Sequence, residues 1–115
     1  MGAIQWDIEL YNGRTSRLSV ACVVEDPDSH RVEVRDLTGW TGAMQIRPTA
    51  DDATVYAEAV VTIDIPTGVV TAVVTDEETA DATWRAGVYD LVITDGINPD
   101  TLAVGVARLR RSVTR

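Results

Sequence analysis

The sequence predicts an all-β domain, a sandwich or small barrel of about seven or eight short strands. Three observations predict it. Apolar and polar residues alternate over short segments such as Ile4 to Leu10, the period of a strand buried on one face. Turn signals recur at intervals of roughly ten residues, the spacing of a sandwich or barrel. Valine is abundant and clustered, against 3 Trp, 3 Tyr and no Phe, so the core is built from β-branched and small side chains that suit strands. A chain of 115 residues forms one domain and buries roughly two thirds of its unfolded surface.

Taken in order, Ile4, Trp6, Ile8 and Leu10 share one face of a first strand, with Gln5, Asp7 and Glu9 on the other, which reads as a half-buried antiparallel strand. Asn12-Gly13 is a hairpin-turn dipeptide. Leu18 to Val24 forms the second strand, with Leu18, Val20, Cys22 and Val24 on one face. Asp26-Pro27-Asp28-Ser29 is a loop, and Arg31 to Arg35 alternates again. Leu37 anchors a turn and Gly39 lets the chain bend before Thr41 to Arg47, where Met44 and Ile46 face opposite to Ala43 and Gln45. Val55 to Asp64 is a strand through Ala57, Ala59, Val61 and Ile63. Pro66-Thr67-Gly68 turns it into Val69 to Thr75. A short helix over Asp76 to Ala82 opens with Thr75 or Asp76 as cap and Glu77 and Glu78 in its first turn. Trp84 drops onto the sheet, Gly87 breaks the helix, and Val88 to Ile93 is a core strand carrying Tyr89 and Leu91. Asp95 to Asp100 is a hairpin loop, and Leu102 to Leu109 closes the domain.

The net charge is −8 and every basic residue is arginine. Such a balance disfavours nucleic acid and anionic lipid as partners. The lack of lysine beside many Arg, Ala, Val, Thr and Asp is also what a GC-rich genome encodes. Charge is segregated: the first 107 residues hold six Arg and all 18 acids, and Arg108, Arg110, Arg111 and Arg115 crowd the last eight. That basic tail is either a solvated terminus or a dock for the acidic body of a neighbouring copy. Cys22 is alone in an apolar run, which gives no disulfide frame and reads as a core thiol. Neither a signal peptide nor an apolar run long enough to span a membrane is present, so a soluble protein made in a cytoplasm is expected.

The chain offers little chemistry. His30 is the single histidine and sits in a polar loop, so one chain cannot build a triad or a histidine metal site. Glu25-Asp26, Asp51-Asp52 and Glu77-Glu78 are adjacent acids on loops or a helix cap, unlike the spaced pair of a glycosidase. Asp95 to Asp100 has oxygen ligands, but Pro99 and a missing Glu spoil a calcium-loop match. Trp6, Trp40 and Trp84 fall where apolar anchors are wanted and act in the core or in subunit contacts, with a sugar platform as the alternative. No catalytic, cofactor-binding or metal residues are assigned.

Two segments carry a resemblance. Asp36-Leu37-Thr38-Gly39-Trp40-Thr41-Gly42-Ala43-Met44-Gln45-Ile46-Arg47 and Trp84-Arg85-Ala86-Gly87-Val88-Tyr89-Asp90-Leu91 resemble segments of the small immunoglobulin-like domains of tailed bacteriophages, which include the N-terminal domain of upper baseplate proteins. Ser112-Val113-Thr114-Arg115 also resembles the end of such proteins. The resemblance runs from about residue 14 to the end. Asn12-Gly13-Arg14-Thr15-Ser16 is a loose version of the family's R-G-D segment, and Ile4 to Leu10 is an additional strand. The resemblance implies an immunoglobulin-like antiparallel β-sandwich in a virion assembled in the bacterial cytoplasm. It implies a structural, non-enzymatic protein that works by binding other virion proteins and copies of itself, as a homo-oligomer. Its place would be the tail tip, baseplate or tail, with capsid decoration or a carbohydrate-binding module as alternatives. Leu37, Trp40, Trp84, Gly87, Tyr89 and Leu91 are then its structural core. The contact candidates are Ile4, Trp6 and Ile8, on a cleanly alternating end strand, with Arg108, Arg110, Arg111 and Arg115, where charge concentrates.

Overall fold

The computed structural model describes residues 3–111. In chain order it contains β1 (Ile4–Gln5), β2 (Ile8–Tyr11), β3 (Ser16–Ala21), β4 (Val23–Glu25), β5 (Val32–Val34), β6 (Thr41–Arg47), β7 (Ala57–Asp64), β8 (Val69–Val74), α1 (Asp76–Thr79), β9 (Ala86–Thr94) and β10 (Pro99–Arg110). Among the described residues eight strands join edge to edge in the order β1-β10-β9-β6-β7-β8-β3, with β2 also on β10, while β4 and β5 pair only with each other. The bend that makes two layers lies in β7. Its first residues, Ala57 to Glu58 and Ala59, pair with β6, and Val60 to Asp64 pair with β8. One layer is therefore β10-β9-β6 and the other β8-β3, the arrangement of an immunoglobulin-like sandwich.

Alternation decides the core. Met44 and Ile46 of β6, Leu91 and Ile93 of β9, and Val70, Ala72 and Val74 of β8 point inward and are almost wholly buried. Each large member contributes roughly 1.5–3 kcal/mol by leaving water. Leu37 is fully buried in the turn before β6, where the Trp40 amide donates to its carbonyl at 3.0 Å. Alanines at 57, 59, 72, 103 and 107 let the layers approach closely. Gly87 does the same within β9: a β-carbon there would lie 2.6 Å from the Arg47 carbonyl oxygen and 3.1 Å from Tyr56.

Several expectations need correction. The first strand is not continuous and not antiparallel. It breaks at Trp6-Asp7, and both pieces run parallel to β10. Asn12-Gly13 therefore turns the chain from one layer to the other instead of closing a hairpin, since β3 pairs with β8. The expected strand Leu18 to Val24 ends at Ala21 and breaks at Cys22, whose amide donates to the Gly68 carbonyl at 2.8 Å while its carbonyl accepts from the Arg35 amide at 3.0 Å. Beyond it Val24 is exposed, not on the core face with Leu18. The helix stops at Thr79, not Ala82, and Thr75 makes no side-chain cap. Its amide end is met from outside by the Thr15 hydroxyl, which accepts from the Asp76 amide at 3.2 Å. At the other end Asn12 Nδ2 donates to the Thr79 and Ala82 carbonyls at 2.7 and 3.2 Å, supplying donors to carbonyls that a helix end leaves without intrahelical partners. Gly87 thus lies inside β9 and ends no helix. The closing strand expected over Leu102 to Leu109 is present as β10 and runs on to Arg110, so it holds both Arg108 and Arg110, while Ser112, Val113, Thr114 and Arg115 lie outside the described residues.

Cys22 is buried. Burial raises its thiol pKa above the ordinary 9.0, with the Arg35 charge opposing and the Asp100 charge adding. A folded pKa above the unfolded one stabilises the native state fully below pH 9 and is lost as pH rises through the folded value. Denaturant midpoints should therefore fall in alkaline buffer above pH 9, less so in Cys22→Ala, and native Cys22 should alkylate far more slowly than the unfolded thiol. Gly87→Ala should cost roughly 1–3 kcal/mol by overpacking, read as a lower thermal midpoint.

Candidate interaction edge

The two contact segments named from the sequence pair at a separation of 99 positions and lie side by side. Ile4 pairs with Ala103 and Gln5 with Val104; Ile8 to Tyr11 then pair with Ala107 to Arg110. Between the two pieces the chain steps over Gly105. A methyl group at 105 would overlap the Trp6 carbonyl oxygen and sit 2.7 Å from its carbon, so only glycine admits this crossing. Three bonds hold it. The Trp6 amide donates to the Val104 carbonyl at 2.9 Å, the Val106 amide donates to Asp7 Oδ1 at 3.0 Å, and the Tyr89 hydroxyl donates to the Trp6 carbonyl. Tyr89 is Gly105's direct partner on β9, which places its ring beneath the crossing. Burial, then the Asp7 charge, raises the Tyr89 pKa, so the hydroxyl keeps its proton for this bond.

The break shapes what the edge presents. Ile4 and Trp6 are 48% and 50% exposed, Ile8 is half-buried against the core, and Leu10 is inside. The predicted stripe of four thus divides into an outward pair and an inward pair. Arg108 approaches Asp7 at 3.8 Å and Arg110 meets Glu9 at 3.1 Å. These pairs are about half exposed and contribute little to stability, but they turn two of the four arginines toward their own chain. Arg111 is exposed, and Arg115 lies outside the described residues.

Two depressions flank the edge. On the outer sheet face a trough of about 490 Å³ runs over Val88, Val104 and Val106, bounded by Gln5, Gln45 and Arg47. At the end near α1, a cleft of about 610 Å³ has Trp84, Tyr11 and Leu109 beside Arg85, Arg108 and Arg111. Trp84 stacks on Tyr56, ring centroids 5.0 Å apart and nearly parallel, and its buried indole N–H has no acceptor among the described residues. Trp40 lies under the Arg35 guanidinium at 4.7 Å, and Arg35 also binds Asp100 at 2.6 Å. The three tryptophans thus have three separate settings and do not form one platform.

The remaining polar candidates are committed locally. His30 is exposed and contacts Glu25 at 3.2 Å. Asp95 accepts from the Ile97 and Asn98 amides at 2.9 and 2.7 Å, and these bonds, Asn98's first, hold its carboxyl below the usual range. Sequence reasoning missed Gly105, Asp7 and Glu9. Gly105 had a signal: a lone glycine inside the run Leu102 to Val106 marks a close backbone approach.

No family model matches the chain, and no curated protein matches it. Among solved structures it is similar to the extracellular fragment, with stalk region, of novel immune-type receptor 11 from Ictalurus punctatus, at 10% identity and a TM-score of 0.35 over 100% of this chain and 89% of that one. A likeness of that degree carries no argument.

The crossing predicts a graded response. Tyr89→Phe should lose about 1 kcal/mol, one part-buried hydrogen bond. Gly105→Ala should lose more, because the clash is with backbone, and it should increase hydrogen exchange at the Val104 and Val106 amides before the rest of the sheet. Equal melting temperatures for Gly105→Ala and wild type would contradict the crossing.

Proposed function

We propose that this chain is a non-enzymatic structural protein of a bacteriophage particle, at the tail tip, baseplate or tail, working by protein–protein assembly with other virion proteins and copies of itself. One observation supports the assembly reading above the others. The additional N-terminal strand and the arginine-bearing end of β10 lie on one sheet border, with Ile4 and Trp6 open to solvent beside Arg108 and Arg110. A border with apolar side chains, charges and an outer strand whose far edge has no partner among the described residues suits docking by surface contact. Many identical contacts in a particle add avidity, so each one can be modest. The phage assignment rests on the resemblance of Asp36–Arg47 and Trp84–Leu91.

Half-exposed Trp6 favours one second reading, recognition of a glycan through an aromatic face. The two part on a single set of variants. In a phage carrying this gene, Ile4→Asp with Trp6→Ala should leave the protein folded, with a melting profile close to wild type, but at least tenfold depleted from purified particles, on the order of 1.4 kcal/mol of lost contact energy. Shortening the chain at 107 is not an equivalent test, because it removes buried Leu109. Wild-type protein missing from purified particles would end the virion reading. Particle occupancy unchanged in the variant would remove Ile4 and Trp6 from the contact. Quenching of tryptophan fluorescence by glycans, lost in Trp6→Ala, together with wild-type protein missing from particles, would leave the second reading.

A further inference from the structure

We infer that the β4–β5 ribbon of one copy docks in the arginine-lined cleft of the next, joining copies head to tail. The ribbon is unlike the rest of the molecule: every residue from 23 to 34 is exposed. Val23 faces Val34 and Glu25 faces Val32 across the pair, so three valines share one side, and Val24 lies with Glu33 on the other. These four valines are 47–62% exposed. A two-stranded ribbon standing alone is marginal in water, and an apolar, unpaired projection marks a contact surface. Among the described residues the body holds it at its root, through the Cys22 amide and carbonyl, the Arg35–Asp100 pair and Val34 against Gly68.

Charge selects the occupant. The ribbon carries four carboxylates and one arginine. The cleft offers the opposite: Arg85, Arg108, Arg110 and Arg111 around the apolar wall of Trp84 and Leu109. Among the described residues no ion pair engages Arg85 or Arg111. Glu77, Glu78 and Asp81 lie in a separate depression that shares Trp84 as its wall, which confines a docked acid to the arginine side. Copies with a net charge of −8 repel at a distance, so a stable contact between them has to match opposite charges locally, as this one does.

Geometry makes the contact intermolecular. The ribbon is rooted beside Asp100, at one end of β10, and the cleft lies at Arg108 to Arg111, at the other. About nine residues at 3.3 Å separate them, close to 30 Å, whereas three-residue strands reach about 10 Å. A copy cannot fill its own cleft. A patch that binds a different patch on the next molecule builds rings or filaments instead of closed two-fold dimers. The inference concerns the isolated protein and does not rest on its place in a virion.

The test mixes two defects. Val32→Arg with Glu33→Arg spoils the ribbon and leaves the cleft; Arg85→Gln with Arg111→Gln does the reverse and offers the arginine-bearing ribbon no opposite charge. All four positions are exposed, so both variants should melt like wild type; if either melts lower, Glu33→Gln and Arg85→Gln carry the same comparison. In sedimentation runs, wild type should form species beyond the dimer as concentration rises, and each variant alone should stay monomeric. An equimolar mixture should give a 1:1 dimer and nothing larger, because one intact ribbon meets one intact cleft and no further site remains. Wild type that is monomeric at roughly 1 mM, where binding is only about −4 kcal/mol, overturns the inference. So does a variant that assembles alone, or a mixture that yields no dimer.

Discussion

The Trp6 carbonyl occupies the space where any residue but glycine at 105 would place its β-carbon, and much of the architecture follows from that coincidence. Backbone against backbone cannot be relieved by a rotamer change, so the register of the first strand on β10 is fixed at one point. On one side of that point Ile4 and Gln5 pair with 103 and 104; on the other, Ile8 begins again at 107. The step turns Trp6 outward and Leu10 inward. It also presents the Trp6 carbonyl to Tyr89, tying the border strand to the centre of the sheet. A buried tyrosine hydroxyl needs an acceptor, and a broken strand needs its carbonyl satisfied; each meets the other's requirement.

Much of the interior was legible in the sequence because it depends on local period. The opposed faces of β6, with Met44 and Ile46 inside, and the inward alanines of β7 follow from alternation alone. What was illegible depends on partners far away in the chain. Alternation gives a strand's faces but not its neighbour, so it could not reveal that Ile4 to Tyr11 runs parallel to residues about 100 positions later. The helix was overextended because its end is set by Asn12, more than 60 residues earlier, and not by a local breaker. The valines of the ribbon misled in the same way: Val32 and Val34 have the pattern of a core strand, and only the escape of the chain at Cys22 leaves them in water. Of the candidate border, the residue types were readable; that the two segments share one edge, and that Glu9 and Asp7 engage two of its arginines, was not.

Two kinds of surface result from one small core. The border at β1–β2 is pinned closely to the body, and the ribbon is held at its base, by the Cys22 backbone bonds and by Arg35, which lies over Trp40 and pairs with Asp100. The first suits a rigid seat for a partner, and the second an arm whose order depends on what it touches. Both are tied to the same interior at one point each: Leu10 carries the border strand into the core, and buried Cys22 roots the ribbon.

The parallel run of β2 beside β10 also has a mechanical meaning. In an antiparallel terminal hairpin, tension at the two strand ends would peel the pairs apart one after another. Here Ile8 to Tyr11 and Ala107 to Arg110 point the same way, so a pull that drags one strand lengthwise past the other strains all four pairs at once. The border is therefore built to resist sliding, and the same geometry that exposes Trp6 makes this edge a shear-bearing seam.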